Sequence, residues 1–136
     1  MMRQSLKLLV VLCLATVVLV GCNRYDEKII GSWNLDYWML YSPDGQNGDI
    51  VKDCVFTFKK DGRGVLTAPY TTVDTNNQEI MSTNFEYSVD DEELRTSLPD
   101  FESNHIEKLD DTKMVLSQTS VAATGSQMIV FSFTKK

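Results

Sequence analysis

His105 and Cys54 are side chains that could serve as a catalytic base or a nucleophile. His105 is the only histidine, so at most one imidazole is available for proton transfer or for a metal ion. It follows Asn104 in a predicted strand and is expected at the surface or rim of the fold. Cys54 alternates with Phe56 and Phe58, a spacing that predicts a small buried residue rather than a nucleophile. The sequence therefore predicts a protein that is not an enzyme.

Two short clusters could bind ions. The acidic run Asp90-Asp91-Glu92-Glu93 lacks the spaced Asp-x-Asn-x-Asp-Gly pattern of a calcium loop and predicts a solvated turn. The glycines of residues 61–64 are not followed by a helical pattern whose N-terminus would bind phosphate, so this segment predicts a hairpin. We predict no metal site and no cofactor.

Aromatic side chains could line a pocket for an apolar or amphipathic ligand. Ordinary core packing explains the same residues, and both interpretations stay open. The candidate ligand-lining residues are Tyr37, Tyr41, Tyr70, Phe85 and Tyr87, with Trp38 beside them.

The N-terminal segment predicts export from the cytoplasm. Arg3 and Lys7 precede residues 8–20, in which only Thr16 is polar, and this is the layout of a signal peptide. The apolar run is shorter than the roughly 20 residues of a membrane-spanning helix. An ordinary secretory signal or a short signal anchor remains the alternative to the lipoprotein signal considered next.

Leu19-Val20-Gly21-Cys22 resembles the motif at which bacterial lipoproteins are cleaved and acylated. The resemblance implies a signal peptide at 1–21, fatty acids such as palmitate on Cys22, and an acylated tether at 22–30 that attaches the protein to a membrane. Asn23 is not the aspartate that retains some lipoproteins at the inner membrane, which favours the outer membrane. Asp26-Glu27 is similar to a surface-export signal, and whether the protein faces the periplasm or the exterior stays open.

Composition limits what the mature chain can be. Of 136 residues, 43% are hydrophobic and 24% are charged. Removing residues 1–21 takes away two basic residues and leaves 115 residues with a net charge of −8. That length predicts one domain, and the negative charge excludes nucleic acid as a partner. Cys54 is then the only cysteine besides Cys22, so no intrachain disulfide between unmodified cysteines is expected.

Short alternating runs with turn signals between them predict an all-β, antiparallel fold. The first strand is expected to place Trp33, Leu35, Tyr37, Met39 and Tyr41 on one face, and the polar segment 69–80 is expected to be a loop. Eight runs favour an up-and-down barrel, and a two-sheet sandwich is the alternative. The runs are 32–42, 51–59, 63–68, 81–89, 93–98, 101–108, 113–119 and 127–135.

Gly31-Ser32-Trp33 resembles the Gly-x-Trp opening of lipocalins, and residues 56–64 and 131–135 are similar to segments of lipocalin-like lipoproteins of Bacteroidota. The resemblance implies a barrel domain over 31–136 in which Trp33 plugs the base. Lipocalins usually carry an arginine on the last strand that stacks on this tryptophan. Here that strand offers only Lys135 and Lys136, so a different closure of the base is expected.

Two functions remain open from the sequence. The first is an envelope lipoprotein that binds a small hydrophobic ligand without catalysis, and it predicts a barrel lined by small inward side chains. The second is a protein-binding lipoprotein, an assembly factor or an inhibitor, that acts through exposed loops such as 69–80. It predicts an interior packed by Phe, Trp and Tyr.

Overall fold

The computed structural model describes residues 24–71, 78–123 and 125–136. The predicted signal peptide and Cys22 lie outside them. Within the described ranges no helix has the length and apolar character needed to cross a bilayer. The elements are α1 (Tyr25–Lys28), β1 (Gly31–Ser42), β2 (Gly45–Ile50), β3 (Val55–Phe58), β4 (Arg63–Thr71), β5 (Gln78–Asp90), β6 (Glu93–Thr96), β7 (Ser103–Leu109), β8 (Lys113–Ala122) and β9 (Gly125–Lys135).

The strands form a closed antiparallel barrel. From β3 to β9 each strand pairs with the next, and β9 pairs back with β1. The first half of β1 pairs with β3 and its second half with β2, so β2 and β3 share one position. The result is an eight-stranded barrel with one extra strand, which confirms the predicted barrel rather than the sandwich.

Two predicted boundaries are wrong. Residues 45–50 lie between the first two predicted runs, yet they form β2, because pairing with β1 outweighs the weak strand propensity of Gly and Asn. The predicted loop 69–80 is shorter than expected, since β4 continues to Thr71 and β5 begins at Gln78.

A β-bulge at Asp36 reverses which side chains of β1 face the interior. Leu35 pairs with Phe133, but beyond the bulge Trp38 pairs with Phe131 and Tyr37 with Ser132. Residues paired across antiparallel strands point to the same face, so the inward positions change from odd to even numbers. The predicted single face of β1 is therefore wrong beyond Leu35.

Phenylalanine rings fill the middle of the barrel. The Phe56 ring lies 5.4 Å from that of Phe133, and the Phe58 ring lies 5.6 Å from that of Phe85, centroid to centroid. Gly64 faces Phe85, and a Cβ at that glycine would lie 2.3 Å from Cζ of the ring. Gly64 has no side chain and leaves room for the Phe85 ring. The phenylalanine rings therefore fill the interior at this level and form a solid core.

Candidate functional site

The barrel has two unlike ends. The base is the end where β1 begins and where the β3–β4, β5–β6 and β7–β8 hairpins turn. The mouth is the opposite end, formed by the β1–β2, β4–β5, β6–β7 and β8–β9 connections.

Trp33 closes the base. Its side chain is fully buried, and the indole Nε1–H donates a hydrogen bond of 2.8 Å to the carbonyl of Ile29. Lys135 places Nζ 4.7 Å from the centre of the indole ring and donates to the carbonyl of Ile30 at 2.8 Å. A cation over the ring face is attracted to its π-electrons. Lysine thus makes the contact for which lipocalins usually carry arginine.

Gly31 makes room for this contact. Its φ of +130° suits glycine, and a Cβ there would lie 2.7 Å from Nζ of Lys135. Position 31 therefore requires glycine for two reasons: its positive φ, and the space that Lys135 needs to reach the Trp33 ring.

Tyr87 also belongs to the base. Its hydroxyl donates to the carbonyl of Lys59, and its ring lies edge-on to Phe58 at 5.0 Å. Burial raises the pKa of the Tyr87 hydroxyl, helped by the charges of Asp61 and Asp26. Tyr87 therefore stays protonated and bridges the β3–β4 turn to the core.

The structure does not bring the predicted ligand-lining residues together. Tyr37 and Tyr41 lie on the outer face, 43% and 37% exposed, because the bulge turns them outward. Phe85 lies in the solid core with 4% exposure, and Tyr87 lies at the base. The side chain of Tyr70 lies outside the described part of the structure.

Residues outside the predicted ligand-lining set face the mouth. Trp38 and Leu40 are half-buried and pair with Phe131 and Ile129 on β9. Leu40 was not predicted to be an inward residue, because a bulge leaves no clear mark in hydrophobic alternation. These four side chains give the mouth an apolar wall formed by the first and last strands.

The β6–β7 loop, residues 97–102, inserts into the mouth. Leu98 is buried, and the Phe101 ring lies 5.3 Å from that of Phe56 below and 4.7 Å from that of Phe131. Phe101 therefore links the solid core to the apolar mouth and acts as a stopper between them.

Two amides, the buried Asn104 and the half-buried Gln118, hold this loop in place. Asn104, 1% exposed, donates through Nδ2 to the carbonyls of Leu94 and Phe101 at 3.2 and 3.0 Å. Gln118 donates through Nε2 to Oδ1 of Asn104 and to the carbonyl of Asp100, at 2.8 and 2.7 Å. Amides that hydrogen-bond to each other and to the loop backbone hold the loop in one position.

A cleft of about 510 Å³ lies at the mouth, between the loop and the ends of β8 and β9. Its floor is apolar and its rim is polar. A second groove of about 560 Å³ runs along β3 to β6 and carries the exposed polar side chains of Arg63, Asn84 and Glu86. Of these two, the mouth cleft is the one lined by the inward apolar side chains of β9, Ile129 and Phe131, whereas the groove reaches Phe85 of the core. The mouth cleft is lined by Asp100, Glu102, Ser103, Gln118, Thr119, Ile129 and Phe131.

His105 and Cys54, the candidate base and nucleophile, do not line this cleft. Nε2 of His105 is 3.8 Å from a carboxylate oxygen of Glu92 and 3.9 Å from one of Glu107, with about half of the imidazole exposed. Cys54 is half-buried against the core, and burial raises its thiol pKa, which disfavours the nucleophilic thiolate. Among the described residues no three His, Cys, Asp or Glu side chains converge as metal ligands would.

Two apocrustacyanins of known structure share this fold at low sequence identity. Apocrustacyanin C1 superposes with a TM-score of 0.53 at 15% identity, covering 80% of this chain and 61% of that one. Apocrustacyanin C2 gives 0.50 at 16% identity with the same coverage. A deswapped triple mutant of bovine odorant-binding protein gives 0.47 at 14%, covering 80% and 74%. The chain spans about three fifths of the length of the two apocrustacyanins.

Sequence comparison adds the family. No curated protein matches the chain. A profile of the lipocalin-like domain matches residues 29–116, from the residue that accepts the Trp33 hydrogen bond to Leu116 in the core of β8. Since the match covers more than half of the sequence and the barrel has the corresponding fold, the chain belongs to the lipocalin-like domain family.

Proposed function

We propose that this protein is a lipid-anchored lipoprotein of the bacterial outer membrane that binds a small hydrophobic ligand at its barrel mouth, without catalysis. The mouth cleft carries the proposal. Its volume, about 510 Å³, lies within the roughly 300–1,000 Å³ of small-molecule pockets, which combine apolar walls with a few polar groups. Phe131 and Ile129 supply the wall, and Gln118 supplies an amide. Members of lipocalin-like families are generally binding proteins, which supports a function without chemistry.

The ligand binds at the mouth because the interior is occupied. Phe56, Phe58, Phe85 and Phe133 are each 4% exposed or less, and their ring contacts leave no space at the middle level. In the described part of the chain, the segment above Phe101 joins the inward apolar side chains Phe131 and Ile129 to an opening.

The anchor places the base toward the membrane. Arg24 precedes α1 at the base, and Cys22 is two residues before it, so an acyl group on Cys22 lies within roughly 7 Å of chain from the barrel's base. The mouth then opens away from the lipid. Cys22→Ser is expected to abolish palmitate labelling and release the protein from membranes, and continued labelling of that variant would refute the anchor.

The binding proposal is tested with a neutral apolar fluorophore, N-phenyl-1-naphthylamine, and the domain that begins at residue 23. We expect saturable binding that weakens about tenfold in Ile129→Gln, since a polar amide replaces apolar wall. Val121→Gln is the control, because Val121 is 86% exposed on the same hairpin. Absence of binding, or equal binding by both variants, would overturn the proposal.

A second candidate function is protein binding. An interior packed by aromatic side chains is what we expect of a protein-binding lipoprotein, and the core phenylalanines meet that expectation. Ile80 and Met81, 72% and 51% exposed, add apolar surface beside the mouth. A photo-crosslinker at position 80 in the native host is expected to give one reproducible protein adduct that position 121 does not give. Without such an adduct this candidate fails.

A further inference from the structure

We infer that the ligand of the mouth cleft is an amphiphile with a positively charged head group, such as an alkylammonium compound. This inference rests on the proposed function and specifies its ligand class. The cleft carries it, since one cavity joins an apolar wall, Phe131 and Ile129, to two carboxylates on its rim, Asp100 and Glu102.

The two rim carboxylates are available to a ligand. Both side chains are exposed, and no lysine, arginine or histidine nitrogen of the described chain lies within ion-pair distance of either. Gln118 donates its hydrogen bond to the main-chain carbonyl of Asp100 and not to the carboxylate of that residue. An ammonium group at the rim would therefore meet two negative charges without displacing a protein cation.

Charge is distributed unequally between the two ends of the barrel. Among the described residues, the mouth connections and adjoining strand ends, 41–46, 69–71, 78–81, 97–103, 120–123 and 125–128, contain no lysine or arginine, and they contain acidic residues at Asp44, Glu79, Asp100 and Glu102. The base carries both signs, with its lysines and arginines at 24, 28, 59, 60, 63, 108, 113, 135 and 136, while Lys52 and Arg95 lie between the two ends, Arg95 opposite Ser103. A negative mouth attracts cations and repels carboxylate-headed lipids.

The geometry also fits an amphiphile rather than a bare ion. The apolar wall begins directly below the rim, where Phe131 contacts the Phe101 stopper at 4.7 Å. A bare cation would gain nothing from this wall, whereas an alkyl or aryl tail would bury its apolar surface there.

The test compares three ligands of equal tail length as competitors of the neutral fluorophore at low ionic strength: dodecylammonium, dodecanol and dodecanoate. We expect dodecylammonium to bind about tenfold more tightly than dodecanol, and dodecanoate to bind more weakly than both, with the difference shrinking as salt is added. In the double variant Asp100→Asn, Glu102→Gln the ratio of dodecylammonium affinity to dodecanol affinity should fall to about one. Asparagine tolerates the φ of +67° at position 100.

A matched control separates the site from net charge. Glu92→Gln with Asp111→Asn makes the same change in charge at exposed positions of the base and should keep the preference. Equal binding of the three ligands, or equal loss of preference in both double variants, overturns the charge inference and leaves the proposed function standing. If neither the fluorophore nor dodecanol binds, the proposed function itself fails.

Discussion

Phe101→Ala should destabilise the protein and strengthen ligand binding at once. The ring contacts Phe56 and Phe131 at 5.3 and 4.7 Å, and the side chain is half-buried. Truncating a fully buried phenylalanine costs about 3–5 kcal/mol. For this partly exposed ring we expect a loss of about 2 kcal/mol in the free energy of unfolding.

Binding should change in the opposite direction, because the space that the Phe101 ring leaves joins the mouth cleft. A ligand tail that fills it regains the lost contacts, and we expect about tenfold tighter binding of the neutral fluorophore, equivalent to roughly 1.4 kcal/mol. Urea denaturation followed by tryptophan fluorescence gives the stability, and fluorophore titration gives the affinity.

The control is Leu109→Ala. Leu109 is 5% exposed at the base, so its truncation should cost about 2–5 kcal/mol and leave affinity unchanged. If Phe101→Ala binds the fluorophore no more tightly than the wild type, Phe101 is not a stopper. If both variants gain affinity equally, general loosening explains the effect instead.

Two further predictions concern the base. Trp33→Ala should lower the free energy of unfolding by about 3–5 kcal/mol, because a fully buried ring and its hydrogen bond to Ile29 are lost. A near-neutral result in urea denaturation would contradict its role as the plug. The backbone N–H groups of Thr112 and Lys113 donate to Asp110 and lower its pKa, so its contribution is present above the unfolded-state pKa and is lost as pH falls through the folded one. The stability difference between wild type and Asp110→Ala should therefore narrow with acidification, and a pH-independent difference would refute this.

The barrel could be predicted because its signals are local. Alternating apolar residues and glycine or aspartate turns define most strands, and the pairing of β1 with β9 then closes the ring. The spacing of Gly31 and Trp33 was also readable, since it reflects contacts within a few residues of each other.

The mouth could not be predicted in the same way because it depends on two nonlocal features. The bulge at Asp36 is fixed by pairing with Phe133 and Ser132, almost a hundred residues away, and it exchanges Tyr37 for Trp38 on the inner face. The position of Phe101 depends on amides of β7 and β8 that hold its loop. Neither interaction leaves a periodic pattern in the sequence.

β2 and β3 pair with different halves of β1, and the two strands should differ in how strongly their detachment is coupled to unfolding of the barrel. All six residues of β2 are exposed, and β1 is its one sheet neighbour in the described chain. β3, in contrast, lies between β1 and β4 and carries two buried phenylalanines. Detaching β2 breaks one ladder and exposes little apolar surface, whereas detaching β3 opens the entire ring. β2 can therefore detach at the mouth while β3 separates from its neighbours only when the whole barrel unfolds.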